Sequence, residues 1–492
     1  MDAAPASSLS RRATLALLLW AGFYLLAFGT ASGLSYAAWA LFTWTRDPSL
    51  FQIVVGIGCG LGSLIILYSS FPRWEKFKVP GPRLDPRTHP RLFEEIRKVA
   101  RDTRQKPPSE VYLLAEVNAW VSNRGGVLGL FPRRILAVGL PLIKILSQGQ
   151  FRCVLAHEFG HYAGGDTRLG PWIYKTHAAI QRTLEMLEGN DSIWRFPFMA
   201  YGRLFTRMSL AVSQQQELAA DALASRIGGG KLFAEALRLI EGAGDAFPGY
   251  IGDELLPVLN AGFRPPFSEG FQRFLSAKPV TRYVSRRVGH ELSTRKRDPF
   301  RTHPPLYERL ESLAALSPGV APAVDPPALE LLEEQDALEA ELLSFITENP
   351  KIRKLPVLGW DEVGEKAFLP AWRERAKEIG APFAPLRPEE LPDVNLTTLG
   401  RTVEKKGSDA EARSAAMTSI GIVLTVWLRD RGWTVSMDPG ERVTVTKGEH
   451  RIEPMHLYID LAEGKLTRDA WRERCRSAGI EGKPLGEPAP TA

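Results

Sequence analysis

The sequence predicts a mainly α-helical protein with a small β-sheet, carried behind two N-terminal apolar helices and followed by an α+β domain. Three observations predict it. Two long uncharged runs open the chain, helical periodicity dominates the residues beyond them, and a Pro-rich stretch at residues 317–327 marks a change of composition. The 492 residues are 44% hydrophobic and 24% charged, which excludes wholesale disorder and fibrous repeats. A net charge of +6 is small for this length and makes no case for a nucleic-acid partner. The three cysteines, Cys59, Cys153 and Cys475, fit neither a disulfide framework nor a zinc ribbon, which points to a reducing compartment.

No charged residue occurs from Ala13 to Thr45 or from Pro48 to Pro72, and only Arg46 and Asp47 separate the runs. About 20 apolar residues at ~1.5 Å rise cross a bilayer core of ~30 Å. Residues 1–72 therefore read as an anchor in a lipid bilayer, with transmembrane helices at about 13–45 and 48–72. A cleaved signal is disfavoured, because the first run is about twice a usual signal core and a second comes at once. Arg11 and Arg12 precede the first run, and residues 73–106 carry eleven basic against five acidic side chains. The positive-inside rule then sets the N-terminus and everything after residue 72 on the cytoplasmic side, most simply of the cell's inner membrane. Gly56, Gly58, Gly60 and Gly62 form two overlapping GxxxG pairs, suited to close packing with the first helix or to a homo-oligomer.

Residues 73–316 alternate helix and short strands. Leu92, Phe93, Ile96 and Val99 have helical spacing after Pro90, and residues 111–115 and 135–138 are β-like. Ser147 and Gln150 form a capping box opening a helix through Cys153, Leu155, Phe159 and Tyr162, which Gly164 and Gly165 end. A second long helix runs from about Leu204 to Ile227 and stops at Gly228-Gly229-Gly230. Beyond the linker, residues 328–492 read as an accessory domain. It holds an amphipathic helix over Ala328–Thr347 with Leu332, Leu338, Leu342 and Ile346 inward, and a core helix at Ala415–Leu428. Two strands around Asp438-Pro439-Gly440 and a closing helix at Lys465–Ala478 complete it. No chemistry is visible there, and an interaction or regulatory role fits it better than a second enzyme.

The chemistry lies in His157-Glu158-Phe159-Gly160-His161. An i, i+4 spacing on a helix puts both imidazoles on one face, where they can hold one metal ion. Glu158, rotated about 100° from His157, is free to act as general base on an attacking water. Two surface histidines are the bland alternative, weakened by the apolar neighbours Leu155, Ala156, Phe159 and Tyr162. A catalytic zinc needs a third protein ligand, and Glu217 is a candidate. Asp221, four residues later, can accept the outer N–H of a ligand histidine. Taken alone this pair is an ordinary charged helix face; after the upstream motif, a two-helix metal site is the better reading. His89, His177, His290, His450 and His456 show no ligand spacing, and Cys153 reads as a small buried residue.

The run HEFGHYAGGD, an ExxxD helix, and then His303-Pro304-Pro305 with Arg309 resemble the HtpX and CAAX-prenyl-protease family of membrane-associated zinc metallopeptidases, over roughly residues 73–316. The resemblance implies a zincin-type (gluzincin) domain with one Zn2+ held by His157, His161 and Glu217. It implies that His303 and Arg309 lie near the metal, His303 as a catalytic donor to the developing oxyanion and Arg309 orienting its loop, with Asp221 one candidate partner. It also implies that Asn118, Ala119 and Trp120 lead into a substrate-binding edge strand, which can pair with an extended peptide. Trp120 fits a core aromatic equally well, and His303 fits a turn in which Thr302 caps a helix from Pro304. Three departures stand out. Gln214 replaces the arginine that usually comes after the serine of the second motif. The interval between the motifs holds Arg182, Glu185, Arg195 and Arg203, so it lacks the two further spans usual in HtpX-like chains. Two spans also cannot enclose a site as the CAAX proteases do, which argues against prenyl-protein processing. The expectation is a membrane-tethered zinc endopeptidase facing the cytoplasm and acting on polypeptides, in protein quality control. The alternative is a membrane-tethered scaffold with a structural metal site, against which Glu158 argues, since such a site needs no base.

Overall fold

The computed structural model describes residues 6–44, 47–71, 77–124, 133–163, 166–188, 195–295, 303–316 and 324–488. Arg46, Arg73, Lys76, Gly164, Gly165, Thr302 and most of the Pro-rich linker lie outside the described residues. The chain forms two compact units. One contains Met1–Leu114, Asn118–Ile240 and Gly289–Glu333; the other contains Ala115–Val117, Glu241–Val288 and Glu334–Ala492. These units cut across the boundaries drawn from the sequence. Composition marks where a chain loosens, whereas packing decides which segment joins which core.

In the first unit, helices α1 (Ala6–Thr43) and α2 (Leu50–Ser70) are long and apolar enough to cross a membrane. A capping box between Ser49 and Gln52 starts α2. The two helices run antiparallel. The Ser63 hydroxyl donates to the Ala31 carbonyl at 2.9 Å, Gly62 faces Leu34, and Gly56 leaves room for the Phe42 ring. Gly58 and Gly60 have nothing within 4 Å of where a Cβ would lie, so half of each GxxxG pair is unused by α1. The outer faces expose Leu25, Leu61 and Leu64.

Helix α3 (Pro90–Asp102) buries Leu92, Phe93, Ile96 and Val99 as their spacing requires. Strands β1 (Glu110–Leu114), β2 (Ala119–Arg124) and β3 (Arg133–Gly139) form a sheet in the order β1-β3-β2, with β1 parallel and β2 antiparallel to β3. A short helix, α4 (Leu140–Ile145), leads into α5 (Gln148–Ala163), which carries the HExxH run. Helices α6 (Asp166–Glu188) and α7 (Arg195–Gly228) come next, α7 beginning nine residues earlier than its sequence pattern suggests. It stops where Gly229 turns to φ +95°, open to glycine at little cost.

The start of α5 is closed twice over. Ser147 and Gln150 form the expected capping box, with Gln150 N donating to Ser147 Oγ at 3.2 Å and Ser147 N to Gln150 Oε1 at 3.1 Å. Residues just past the linker then return to the same helix end. Asp325 accepts from Ser147 Oγ at 2.6 Å and from Gly149 N at 2.7 Å, and Pro326 O accepts from Gln148 N at 2.8 Å. A carboxylate among orphan amides at a helix N-terminus is stabilising.

The second unit is built around the helix Asp409–Asp430, where Ile420, Leu424, Trp427 and Leu428 pack with Trp433 and Trp471. Strands β4 (Thr434–Ser436), β5 (Thr444–Lys447) and β6 (His450–Ile452) make an antiparallel sheet. The third strand, His450–Ile452, adds to the two that the sequence pattern marks. The helix expected over Ala328–Thr347 is divided into a 3-10 turn, Ala328–Leu331, and a helix, Gln335–Ile346, separated where Glu334 adopts φ +51°. Leu332, Leu338 and Leu342 are buried as expected, but Ile346 is 39% exposed. Residues 241–288 join this unit by packing around Trp360, whose indole lies on Gly270 and donates to Pro266 O at 2.8 Å.

Asp325→Ala removes the second cap and should lower stability by about 0.5–2 kcal/mol. Denaturant unfolding of the full chain, followed by far-UV circular dichroism, checks this; an unchanged midpoint would show the cap to be idle.

Candidate metal centre

A helix can present His157 and His161 to one ion only if its inner face is covered by a partner carrying the remaining donors. In α5, Val154, Leu155, Ala156 and Phe159 are buried, and the two imidazoles stand with centroids 5.0 Å apart and planes at 87°. The partner is α7. A Cβ on Gly160 would sit 2.9 Å from both Cα and Cβ of Ala220, so the absence of a side chain there lets the two backbones nearly touch. One residue of bulk at either position would separate them.

That contact brings Glu217 and Asp221 to the histidines. Glu217 Oε2 lies 3.4 Å from His157 Nε2, and Glu217 Oε1 lies 3.6 Å from His161 Nε2. Asp221 Oδ1 lies 2.9 Å from His157 Nδ1, on the far side of the ring. Asp221 is itself gripped from the helix Leu306–Ala314, where Arg309 donates through Nε to Oδ2 at 2.8 Å and through Nη2 to Oδ1 at 2.6 Å. Such a two-pronged guanidinium–carboxylate pair fixes orientation as well as charge. His303 sits just before this helix, behind the buried Pro304 and Pro305, and its Nδ1 is 2.7 Å from Glu217 Oε2 although the side chain is 61% exposed.

The donor set suits a metal ion. Ligands placed tetrahedrally at ~2.0–2.1 Å from zinc are about 3.3 Å from each other, close to the 3.4 and 3.6 Å separating Glu217 from the two imidazoles. Donor atoms of His157, Glu158 and His161 also lie within 4.8 Å of one another. Among the described residues, His157 Nδ1 and Glu217 Oε2 are buried without a hydrogen bond; the close approaches of Asp221 and His303 are not aligned as such bonds. A divalent cation would satisfy the lone pairs that Glu217 and the imidazoles turn towards one another.

Charge at the site is shared tightly. Burial alone would lower the His157 pKa, but the carboxylates of Asp221 and Glu217 outweigh it and raise it to about 9. Burial pushes Glu217 and Asp221 up, and their neighbours reverse the sign: His157 and His303 hold Glu217 well below its usual range, and Arg309 with His157 lowers Asp221. Glu158 goes the other way. Burial raises its pKa, and the attraction of His157 and His161 only partly offsets this.

Of the remaining expected residues, Asn118 precedes β2, its carbonyl accepting from Gly139 N at 2.8 Å, while Ala119 and Trp120 open the strand. Among the described residues β2 pairs only with β3, so its other side is an edge. Trp120 is half-buried against Tyr112, Leu114, Ile135 and Ala137, which favours the core reading for its ring. Cys153 is fully buried against Gly228, its thiol pushed up to about 12 by burial, and serves packing. Two residues went unmarked in the sequence. Gly160 was visible as a costly glycine inside a helix. Tyr162 joins α5 to the sheet, its hydroxyl donating to Ile135 O at 2.7 Å with Ser122 O at 3.3 Å, and nothing in the spacing signals that.

Gly160→Ala must push α7 off α5 by several tenths of an ångström. The metal should bind at least about tenfold more weakly, as for other changes that misplace ligands, with helix content near wild type. Competitive metal titration measures this, and unaltered affinity would mean that the helices can spread without disturbing the donors.

Residues 86–317, just under half the chain, match the family model described as Peptidase family M48. No curated protein and no solved structure matches the chain. The matched stretch contains every residue of the candidate centre, and it supports a metallopeptidase function and the M48 family for the part of the chain that carries the site.

Proposed function

We propose that this chain is a membrane-anchored zinc endopeptidase of the HtpX and CAAX-prenyl-protease-like kind, with its peptidase segment on the cytoplasmic side of the cell's inner membrane. The observation that carries the reading is the convergence of His157, His161 and Glu217 around one point, with a carboxylate oxygen of Glu158 within 4.8 Å of both imidazoles. When bound, the metal supplies a Lewis acid that polarises the scissile carbonyl and makes water more acidic.

This chain's own groups do the rest. Glu158 takes a proton from the attacking water and returns it to the leaving amine. Its burial, by raising its pKa, makes it a stronger base at neutral pH than a solvated glutamate. Asp221, clamped by Arg309, holds the His157 ring so that Nε2 faces Glu217. His303, beside Glu217, donates to the carbonyl oxygen as negative charge grows on it. The free edge of β2 takes an extended polypeptide as an added strand, starting at Asn118, Ala119 and Trp120. Quality control of misfolded or membrane-associated proteins is the role that the resemblance suggests.

Glu158→Gln should retain the metal and lose nearly all turnover of a casein-type substrate, since the amide cannot accept the proton. Cleavage at the normal rate would discard the mechanism. His303→Ala should lower kcat by ~10²–10³ while metal content and thermal stability stay near wild type. If kcat is unchanged, or falls only because the protein unfolds, His303 is a packing residue.

A further inference from the structure

The charges between the two motifs forbid a further span, yet the helices of that interval do not stand away from the anchor. α6 and α7 share one apolar core with α1 and α2, in which Phe198 and Phe205 of α7 and Leu187 of α6 pack with Phe23, Ala27 and Ile66. Polar groups tie the four helices together. Tyr201 donates its hydroxyl to Leu19 O at 2.5 Å, and the Ser69 and Thr183 hydroxyls are 2.9 Å apart. Arg182 donates to Ser69 O and Phe71 O, both at 3.4 Å, at the orphaned C-terminal carbonyls of α2.

The hairpin has a direction. Beyond Tyr201, α7 runs on to Glu217 and the site, so its Phe196 end is the one that lies along the anchor. On the face turned from the shared core, Phe196 is 70% and Leu204 50% exposed, while Arg203 and Arg207 are exposed beside and beyond them. Along α7 these groups interleave, Arg195 and Phe196 at the start, then Arg203 next to Leu204 and Arg207 one turn on, a mixture suited to the boundary between acyl chains and phosphates and not to the hydrocarbon centre. Glu185 on α6 lines the same groove as Arg203, and an acid there is incompatible with the hydrocarbon centre.

We propose that the Phe196 end of α7 is immersed in the lipid interface beside α1 and α2, with Phe196 among the upper acyl chains and Arg203, Leu204 and Arg207 at the level of the phosphates. This rests on reading α1 and α2 as membrane spans. The peptidase segment is then held at the bilayer by four helices, two of which cross it, and α7 joins the lipid surface to Glu217 without a break.

The test uses the full chain with Cys59→Ser, in phosphatidylcholine vesicles containing about one third anionic phosphatidylglycerol. A polarity-sensitive fluorophore is attached to Phe196→Cys, to Leu64→Cys on the outer face of α2, and to Arg226→Cys at the far end of α7. Spin-labelled lipids then report depth. The label at position 64 should lose most of its emission to a deep acyl quencher, that at 196 to a shallow one only, and that at 226 to neither. A label at 196 that behaves like the one at 226 overturns the proposal, and so does one quenched from the bilayer centre. If the label at 64 is also unquenched, the spans themselves are misread, a distinct failure. Should the 196 variant lose its metal or fail to fold, Leu204→Cys takes its place about two turns further along α7, and its label should likewise be quenched from the shallow position only.

Discussion

Two helices can share one set of metal donors only if their backbones come within touching distance, and here that distance is set where Gly160 meets Ala220. The pairs on either side of the contact depend on it. His157 and His161 flank Gly160 along α5, and Glu217 and Asp221 flank Ala220 along α7. A side chain at Gly160 would lift Glu217 away from both imidazoles at once, because α7 is continuous and cannot yield at one residue. The glycine costs helix stability of about 1 kcal/mol relative to alanine, which is small beside the loss of a ligand.

The same geometry explains the electrostatics. Glu158, Glu217 and Asp221 crowd three carboxylates into a buried space, an arrangement that repels itself unless cations are interleaved. Arg309 neutralises Asp221 from outside, and His157 stands between Asp221 and Glu217. Glu158 feels His157, His161 and His303 only at a distance, and burial outweighs them in setting its protonation. Their surroundings, rather than their chemistry, thereby set the three acids apart: Asp221 and Glu217 are held ionised and Glu158 is pushed towards its neutral form.

Support for this centre comes from segments distant in the chain. Arg309 arrives across 88 residues from Asp221, and Asp325 across 176 from Gly149. The strap carrying Asp325 lies past the matched family stretch, yet it closes the helix that presents His157 and His161. α7 connects the centre to the apolar helices through Tyr201, so mechanical continuity runs from Leu19 to Glu217. The second unit gathers its own core from chain segments before and after Gly289–Glu333 in the sequence.

Local rules made much of this legible in the sequence. Unbroken apolar runs identify α1 and α2, a Ser-x-x-Gln box identifies the start of α5, and i, i+4 spacing alone puts two histidines on one face. These features depend on neighbours within a few residues, where helix geometry leaves little choice. Other features depend on which surfaces meet, and only the tertiary structure decides those. Residues 241–288 join the later chain because Trp360 fills the space beside Gly270, and Ala328–Thr347 breaks at Glu334 although its periodicity continues. The charged interval lies along α1 and α2 because one face of each of its helices is apolar, a property hidden in its average composition. Above all, the sequence names Glu217 only as an acid on a helix. Its place 3.4 Å from His157 depends on a backbone contact between residues sixty apart, and no local propensity encodes it.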